Sequence, residues 1–330
     1  MTDTPDPVLS PSLLEENRKR FISLFYPAVP EPLQTKTNLY LHILKVRNGD
    51  FDLPGLYREL KNNSPAYVLS RLNYQKALND PSKMMEIASK VQSQFRQPDK
   101  NAGEGGELIL YSLLEGHLGA PKALSKMEIK TSSGHYVHGS DGVHLLSMED
   151  GSYQLIFGES KMYGDGKRRG TSAKNGITAA FNSIEQVHKS GFSFDTWLVE
   201  SELLKEEQSD AEKLEALTAI ILPSSGAANV NTQNAFGVFI GYEIDVSDMR
   251  PEDMELDEIE TELRLRAKTA MEEQYDYIKE QITNRGLGIY PIHIYAIPFL
   301  KRGTGDGAPG IEKVRIDLAA QLSNRGISNE

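Results

Sequence analysis

Residues 138–162 read His-Gly-Ser-Asp-Gly-Val-His-Leu-Leu-Ser-Met-Glu-Asp-Gly-Ser-Tyr-Gln-Leu-Ile-Phe-Gly-Glu-Ser-Lys-Met. Apolar residues alternate with others from His138 to Met148 and again from Tyr153 to Lys161, on either side of Glu149-Asp150-Gly151-Ser152. A period of two marks strands, and Asp-Gly between two such runs marks a tight turn. The stretch is therefore a predicted β-hairpin. With the loop centred on Asp150-Gly151, paired residues sum to 301, which sets Asp141 opposite Ser160 and one position from both Glu159 and Lys161. In that register Asp141 falls on the opposite face from Glu159, because side chains alternate along a strand. A bulge at Gly142, or a turn of three residues, restores a shared face, and one such irregularity is expected here.

The hairpin carries Gly139-Ser140-Asp141-Gly142 on one strand and Gly158-Glu159-Ser160-Lys161 on the other. An acid, a gap, then acid-x-Lys suits metal-dependent phosphodiester cleavage: two carboxylates to hold Mg²⁺ and a lysine to position water or balance developing charge. Acid-x-Lys occurs four times, at Glu59/Lys61, Glu128/Lys130, Glu159/Lys161 and Asp165/Lys167. Only Glu159/Lys161 ends a clear strand and is joined by a tight turn to a second acid. Spacing by itself also allows Asp141 to be an ordinary strand-end acid and Glu159/Lys161 a partly exposed pair worth under about 1 kcal/mol.

Outward from the hairpin, residues 1–98 form an accessory region of helix-compatible segments broken by prolines, the last helix running from Ser82 to Phe95. Gln97-Pro98-Asp99 reads as a linker. A core over 99–222 begins with a helix from Glu104 to Leu118 that Gly119 and Pro121 end, followed by a short strand at Met127 to Thr131. After the hairpin come a basic loop from Tyr163 to Thr171, a helix from Ser172 to Lys189, and strands at Phe194–Val199 and Leu217–Leu222. The extension over 223–330 holds strands at Phe236–Ile244 and Ile292–Phe299 with one long helix, Leu256 to Thr283, between them.

The chain has 330 residues, 39 % hydrophobic and 25 % charged, with no apolar run of the length a membrane-spanning helix needs. Its lack of cysteine excludes disulfides, thiolate zinc sites, a cysteine nucleophile and cysteine-held iron–sulfur clusters. The first residues carry no signal-peptide pattern, so a cytoplasmic location is expected. The net charge of −11 is concentrated: Glu243 to Glu262 holds ten acids and one base, whereas Glu159 to Lys174 holds five bases and two acids. Both runs also read as solvated faces. His135, His138 and His144 make a poor zinc set without a carboxylate group or cysteine, and His144 reads as a packing or hydrogen-bonding residue near the acids. Gly158-Glu159-Ser160-Lys161-Met162 breaks the nucleophile elbow at its last position. Gly164-Asp165-Gly166-Lys167-Arg168 lacks the spacing and the Ser/Thr of a phosphate-binding loop.

Gly-Glu-Gly-Gly-Glu over 103–107, Gly-Ser-Asp-Gly-Val-His over 139–144 and Phe-Gly-Glu-Ser-Lys over 157–161 together resemble the PD-(D/E)XK nuclease superfamily. Within it they resemble the HamA family, the nuclease subunits of the Hachiman anti-phage defence system. The resemblance implies an α/β, restriction-endonuclease-like core, a mixed sheet flanked by helices, with an N-terminal helical accessory region. It implies Asp141 and Glu159 as ligands of Mg²⁺ or Mn²⁺, Lys161 as catalytic lysine, and a further ligand from the preceding helix. Glu104 and Glu107 both fit that last place, and Glu107 is preferred as one turn deeper. Ser140 stands where the superfamily has its proline. Gln186 matches a glutamine that some relatives carry on the next helix, although it lies away from the Ile184 stripe. Lys167, Arg168, Arg169 and Lys174 then become phosphate contacts and Tyr163 a base-stacking residue. The implied partners are DNA and an ATP-dependent DNA helicase, the second Hachiman subunit, with Glu243 to Glu262 and the helix after it as docking surface or DNA mimic. The implied activity is metal-dependent hydrolysis of DNA phosphodiester bonds by a nuclease that the helicase releases or activates; the alternative is a non-catalytic nuclease-fold subunit that binds a partner or nucleic acid, and an RNA substrate is a third reading.

Overall fold

The hairpin belongs to a seven-stranded sheet and lies towards one edge of it. The structure, a computed structural model, describes residues 7–96, 103–125, 127, 140–165, 168–192, 203–222, 230–303 and 309–325. Helix α1 (Glu15–Ser23) is followed by strands β1 (Pro30–Gln34) and β2 (Thr37–Leu41), then by a separate small hairpin of β3 (Val46–Arg47) and β4 (Asp50–Phe51). Helices α2 (Leu53–Val68), α3 (Arg71–Asn79), α4 (Met84–Gln94) and α5 (Glu104–Leu113) lead to β5 (Lys122–Ser125), β6 (Gly142–Ser147) and β7 (Tyr153–Met162). Next come α6 (Ser172–Lys189), α7 (Leu203–Glu207), α8 (Ala211–Ile221), β8 (Thr232–Asp245), α9 (Leu256–Glu272), α10 (Tyr275–Asn284), β9 (Ile292–Lys301) and α11 (Ile311–Ser323).

The sheet order is β1-β2-β9-β8-β7-β6-β5. Strands β2, β9, β8 and β7 run parallel, and the two flanks, β1 on one side and β6 and β5 on the other, are antiparallel. The parallel strands β8 and β9 are buried along nearly their whole length, as strands covered on both faces must be. Helices α2, α5 and α11 lie on one face, where Leu114 and Ile311 press on β8 at Gly237 and Gly241. Helices α6, α9 and α10 lie on the other; Gly176 of α6 meets Ile240, and the Tyr242 hydroxyl donates to the Ala267 carbonyl at 2.7 Å.

Some expectations need correction. The N-terminal region is not helical throughout, because β1 and β2 join the main sheet and β2 pairs in parallel with β9. The run Leu217–Leu222 lies in helix α8 rather than a strand; Asp210 caps that helix by accepting from the Lys213 amide at 2.9 Å, and a short apolar run does not by itself distinguish a buried strand from a buried helix. The helix from Leu256 to Thr283 is two helices, broken between Glu272 and Tyr275. Of the strand expected at Met127–Thr131 only Met127 is described, and it is not in a strand; β5 lies before it, at Lys122–Ser125, and residues 128–131 and 194–199 lie outside the described residues. Among the described residues no helix is long and apolar enough to cross a membrane.

Candidate active site

Strands β6 and β7 pair with residue numbers summing to 300, from Gly142↔Gly158 to Ser147↔Tyr153. The Met148 amide donates to the Ser152 carbonyl at 2.8 Å, closing a turn of three residues, Glu149-Asp150-Gly151. Gly151 sits at φ +79°, a left-handed conformation in which a Cβ is strained. Asp150 steadies the turn by accepting from the Ser152 amide at 2.9 Å and its hydroxyl at 2.6 Å. Of the two irregularities expected, this is the one that resets the register, and the ladder it sets ends at Gly142↔Gly158, one residue after Asp141.

Just past the ladder's end the Asp141 amide donates to the Gly158 carbonyl at 2.8 Å. Its carboxylate Oδ2 accepts from both the amide and the hydroxyl of Ser160, each at 2.8 Å. The carboxylate thus takes the acceptor place that the next main-chain carbonyl of β6 would hold, and it sits at the rim of the sheet rather than out on one face. Ser140, in the proline position, shares its hydroxyl between the carbonyls of Gly142 at 2.7 Å and Gly158 at 3.0 Å.

Glu159 is buried on the face covered by α6, in an ion pair with Lys161 and a hydrogen bond from Ser183. Burial first, and then the negative charge of Asp141, push its pKa up to about 7, against the opposing pull of Lys161 and Ser183. The Lys161 side chain is 26 % exposed, so the ion pair opens to solvent. Glu107 comes from the other face, in the first turn of α5, where it accepts from the Tyr67 hydroxyl at 3.0 Å. Helix α5 approaches β7 closely because Gly106 and Gly158 lack side chains there: a Cβ on Gly106 would stand 3.4 Å from Ser160 Oγ, and one on Gly158 3.2 Å from Leu110. A small cavity between helix and hairpin is lined by Tyr67, Glu107, Lys122, Asp141, His144 and Gly158, among others. Glu107 therefore shares a cavity with Asp141. Glu104 instead accepts from the Arg96 amide at 2.8 Å and pairs with its guanidinium at 3.5 Å.

His144 is buried, its Nδ1 2.9 Å from the Ala120 carbonyl, and burial lowers its pKa to about 4, so it is a neutral hydrogen-bonding residue beside the acids. Gln186 is exposed on α6, and the residue that α6 brings to the centre is Ser183, one turn earlier. In the basic loop, Arg168 is exposed, Arg169 pairs with Asp245 at 2.8 Å, Lys174 lies over the Tyr277 ring at 4.5 Å and Tyr163 is 39 % exposed. Lys167, His135 and His138 lie outside the described residues. Asp165 is structural: buried, it accepts from the amides of Gly170, Thr171 and Ser172 and so holds the start of α6. Glu59, first of another acid-x-Lys pair, is bound by Arg20 and Arg58. Within the acidic run, Glu243 is buried and accepts from the amides of Asp165 and Ile311, each at 2.8 Å, while Asp248 and Glu262 pair with Arg266. That run is therefore less of an open acidic face than its composition suggests.

Three residues of this centre escape a reading of the sequence. Ser160 is the variable position between the acid and the lysine. Ser183 is one of several polar residues flanking the apolar stripe of α6. Tyr67 lies 40 positions from Glu107 in the chain, and no local pattern connects them.

Among the described residues no group of three or more His, Asp or Glu side chains stands together as a ready metal cage. Mg²⁺ is commonly bound through one or two carboxylates, with waters and phosphate oxygens completing its shell. Asp141, together with a Glu159 carboxyl that burial first and then the charge of Asp141 make hard to ionise, fits a hard divalent cation of that kind. Fold and site thus describe a mixed α/β protein whose hairpin brings Asp141, at the sheet rim, near Glu159 and its partner Lys161. A family model described as HamA matches residues 19–302, and the chain belongs to the HamA family, a component of the Hachiman anti-phage defence system. No curated protein and no solved structure matches it.

Proposed function

We propose that this chain is the metal-dependent nuclease of a Hachiman system, hydrolysing DNA phosphodiester bonds under the control of the helicase HamB. The observation that carries the reading is the convergence of Asp141, Glu159 and Lys161 at the hairpin end, with Lys161 reaching solvent. Asp141 and Glu159 would hold the cation, with Glu107 completing the set from α5. When bound, Mg²⁺ or Mn²⁺ supplies charge to the scissile phosphate and acidifies a coordinated water. Lys161, paired with Glu159, is placed to balance charge that develops on the phosphoryl oxygens. Ser160 keeps Asp141 turned into the centre, and Ser183 keeps Glu159 oriented from the opposite side. Arg168, Arg169, Lys174 and Tyr163, together with Lys167, supply contacts for phosphates and a base next to the cut.

An overall charge of −11 opposes binding to a polyanion, which supports a helicase partner as the source of grip on DNA. The acids that remain exposed on α9, with the apolar Leu256 and Leu265, are the docking surface in this reading. Cleavage of plasmid and single-stranded DNA by the purified chain, with Mg²⁺ or Mn²⁺ and with or without the helicase, tests the proposal. Metal-dependent cutting that disappears in Glu159→Gln and in Lys161→Ala is the expected result. Equal cutting by the variants, or none by any form, transfers the reading to a non-catalytic subunit that binds a partner or nucleic acid. An RNA substrate run alongside tells whether cutting is confined to DNA.

A further inference from the structure

Helix α2 belongs to the N-terminal region, outside the segment that carries the acids, yet its last turn reaches the centre. Tyr67 is 2 % exposed there, and its hydroxyl donates to Glu107 Oε2 at 3.0 Å in the cavity that Asp141 also lines. Its main chain is held as firmly as its side chain. Lys122 of β5, fully buried, directs its ammonium at the carbonyls of Ala66 at 3.3 Å, Tyr67 at 3.4 Å and Leu69 at 3.0 Å. A cation is favoured at a helix C-terminus, where carbonyls lack partners. Lys122 also pairs with His144 of β6, the strand that Asp141 precedes. One sheet edge therefore fixes both the carboxylate at the rim and the helix end that bears Tyr67.

We propose that Tyr67 is a positioning residue for the metal centre, its hydroxyl setting the orientation in which Glu107 is presented to a divalent cation at Asp141. The inference rests on the nuclease reading above and adds to it the element that completes the site. Partners of this kind fix the direction of a ligating carboxylate, and their loss weakens metal binding by roughly 10- to 100-fold. Tyr67→Phe removes the hydroxyl and keeps the ring that packs 5.3 Å from Tyr111.

The test is calorimetric titration of the full chain with Mn²⁺, for the wild type, Y67F, E107Q, the Y67F/E107Q pair and E159Q, with DNA cleavage measured against Mg²⁺ concentration. Y67F is expected to weaken Mn²⁺ binding by roughly 10- to 100-fold and to raise the half-saturating Mg²⁺ by a similar factor. Cleavage at saturating metal should stay close to wild type, and Y67F should add nothing further in the E107Q background. The rise in melting temperature on adding Mn²⁺, a difference taken within each variant, keeps the comparison readable if Y67F is less stable. Wild-type Mn²⁺ binding by Y67F, or an equal loss with and without Glu107, overturns the inference. If E159Q also leaves binding and cleavage intact, the nuclease reading falls with it; if E159Q abolishes cleavage while Y67F binds normally, only the role of Tyr67 falls.

Discussion

Glu159 is held in a place that suits its charge badly. A carboxyl whose pKa is raised to about 7 in the folded chain, against an ordinary value of 4.5, binds more protons folded than unfolded across that interval. Stability therefore falls as pH rises from 4.5 towards 7, and above 7 the ionised group costs up to about 3 kcal/mol at 1.36 kcal/mol per unit. Glu159→Gln is expected to raise the urea midpoint at pH 8 and to lose that advantage near pH 4.5; the same shift at both values would refute the argument. Bound cation should remove the penalty, so Mg²⁺ should stabilise the wild type more than this variant. Ser160 is the second residue whose role belongs at this scale. Ser160→Ala removes the hydroxyl from Asp141 and leaves the amide, so a loss of about 1 kcal/mol is expected, with weaker cleavage at limiting metal. Neither effect follows from the motif, which leaves the middle residue open.

The hairpin shows what an element decides that its residues do not. Two strands and a turn are legible from alternation and Asp-Gly, but a loop of two residues and one of three differ by one in register, and one position reverses the face. Hydrogen bonding from Met148 to Ser152 and the left-handed Gly151 choose the longer loop. Gly151→Ala is expected to cost about 1 kcal/mol, since an L side chain is strained at that φ. Its effect on cleavage should exceed that of Asp150→Ala if the register carries the site; plasmid cleavage of the two variants beside their urea midpoints decides this. Helix α8 is the opposite case. Its apolar residues suit either a strand or a helix, and what settles the matter is the Asp210 cap and its burial against the rest of the core.

At the scale of the molecule, several histidines lie inside the fold. His42, His144 and His293 are buried, and desolvation lowers their pKa values to about 3, about 4 and about 4. Each stays neutral in the folded chain at pH values where the unfolded chain protonates. The sign is opposite to that of Glu159: stability is complete above pH 6.5 and falls as pH drops towards 3–4, by up to about 1.4 kcal/mol per pH unit for each histidine. Urea midpoints should therefore fall steeply between pH 6.5 and 5, and His42→Phe should flatten that slope; an unchanged slope would contradict the account. The histidines join segments distant in sequence, as where His42, after β2, packs edge-on against His117 with ring centroids 4.9 Å apart.

Sequence alone determined the pieces whose signals are local: the hairpin, the helices on either side of it, and the buried strands near Phe236 and Ile292. Periodicity and turn chemistry act within a few residues, so they can be read from a few residues. Tertiary structure decided the rest. It brought β1 and β2 into the central sheet, set Asp141 at the rim by one residue of register, chose Ser183 over Gln186 on α6, and placed Tyr67 against Glu107. Each of these depends on contacts between segments tens to hundreds of residues apart, whose free energy is shared through packing and leaves no pattern in either segment read by itself.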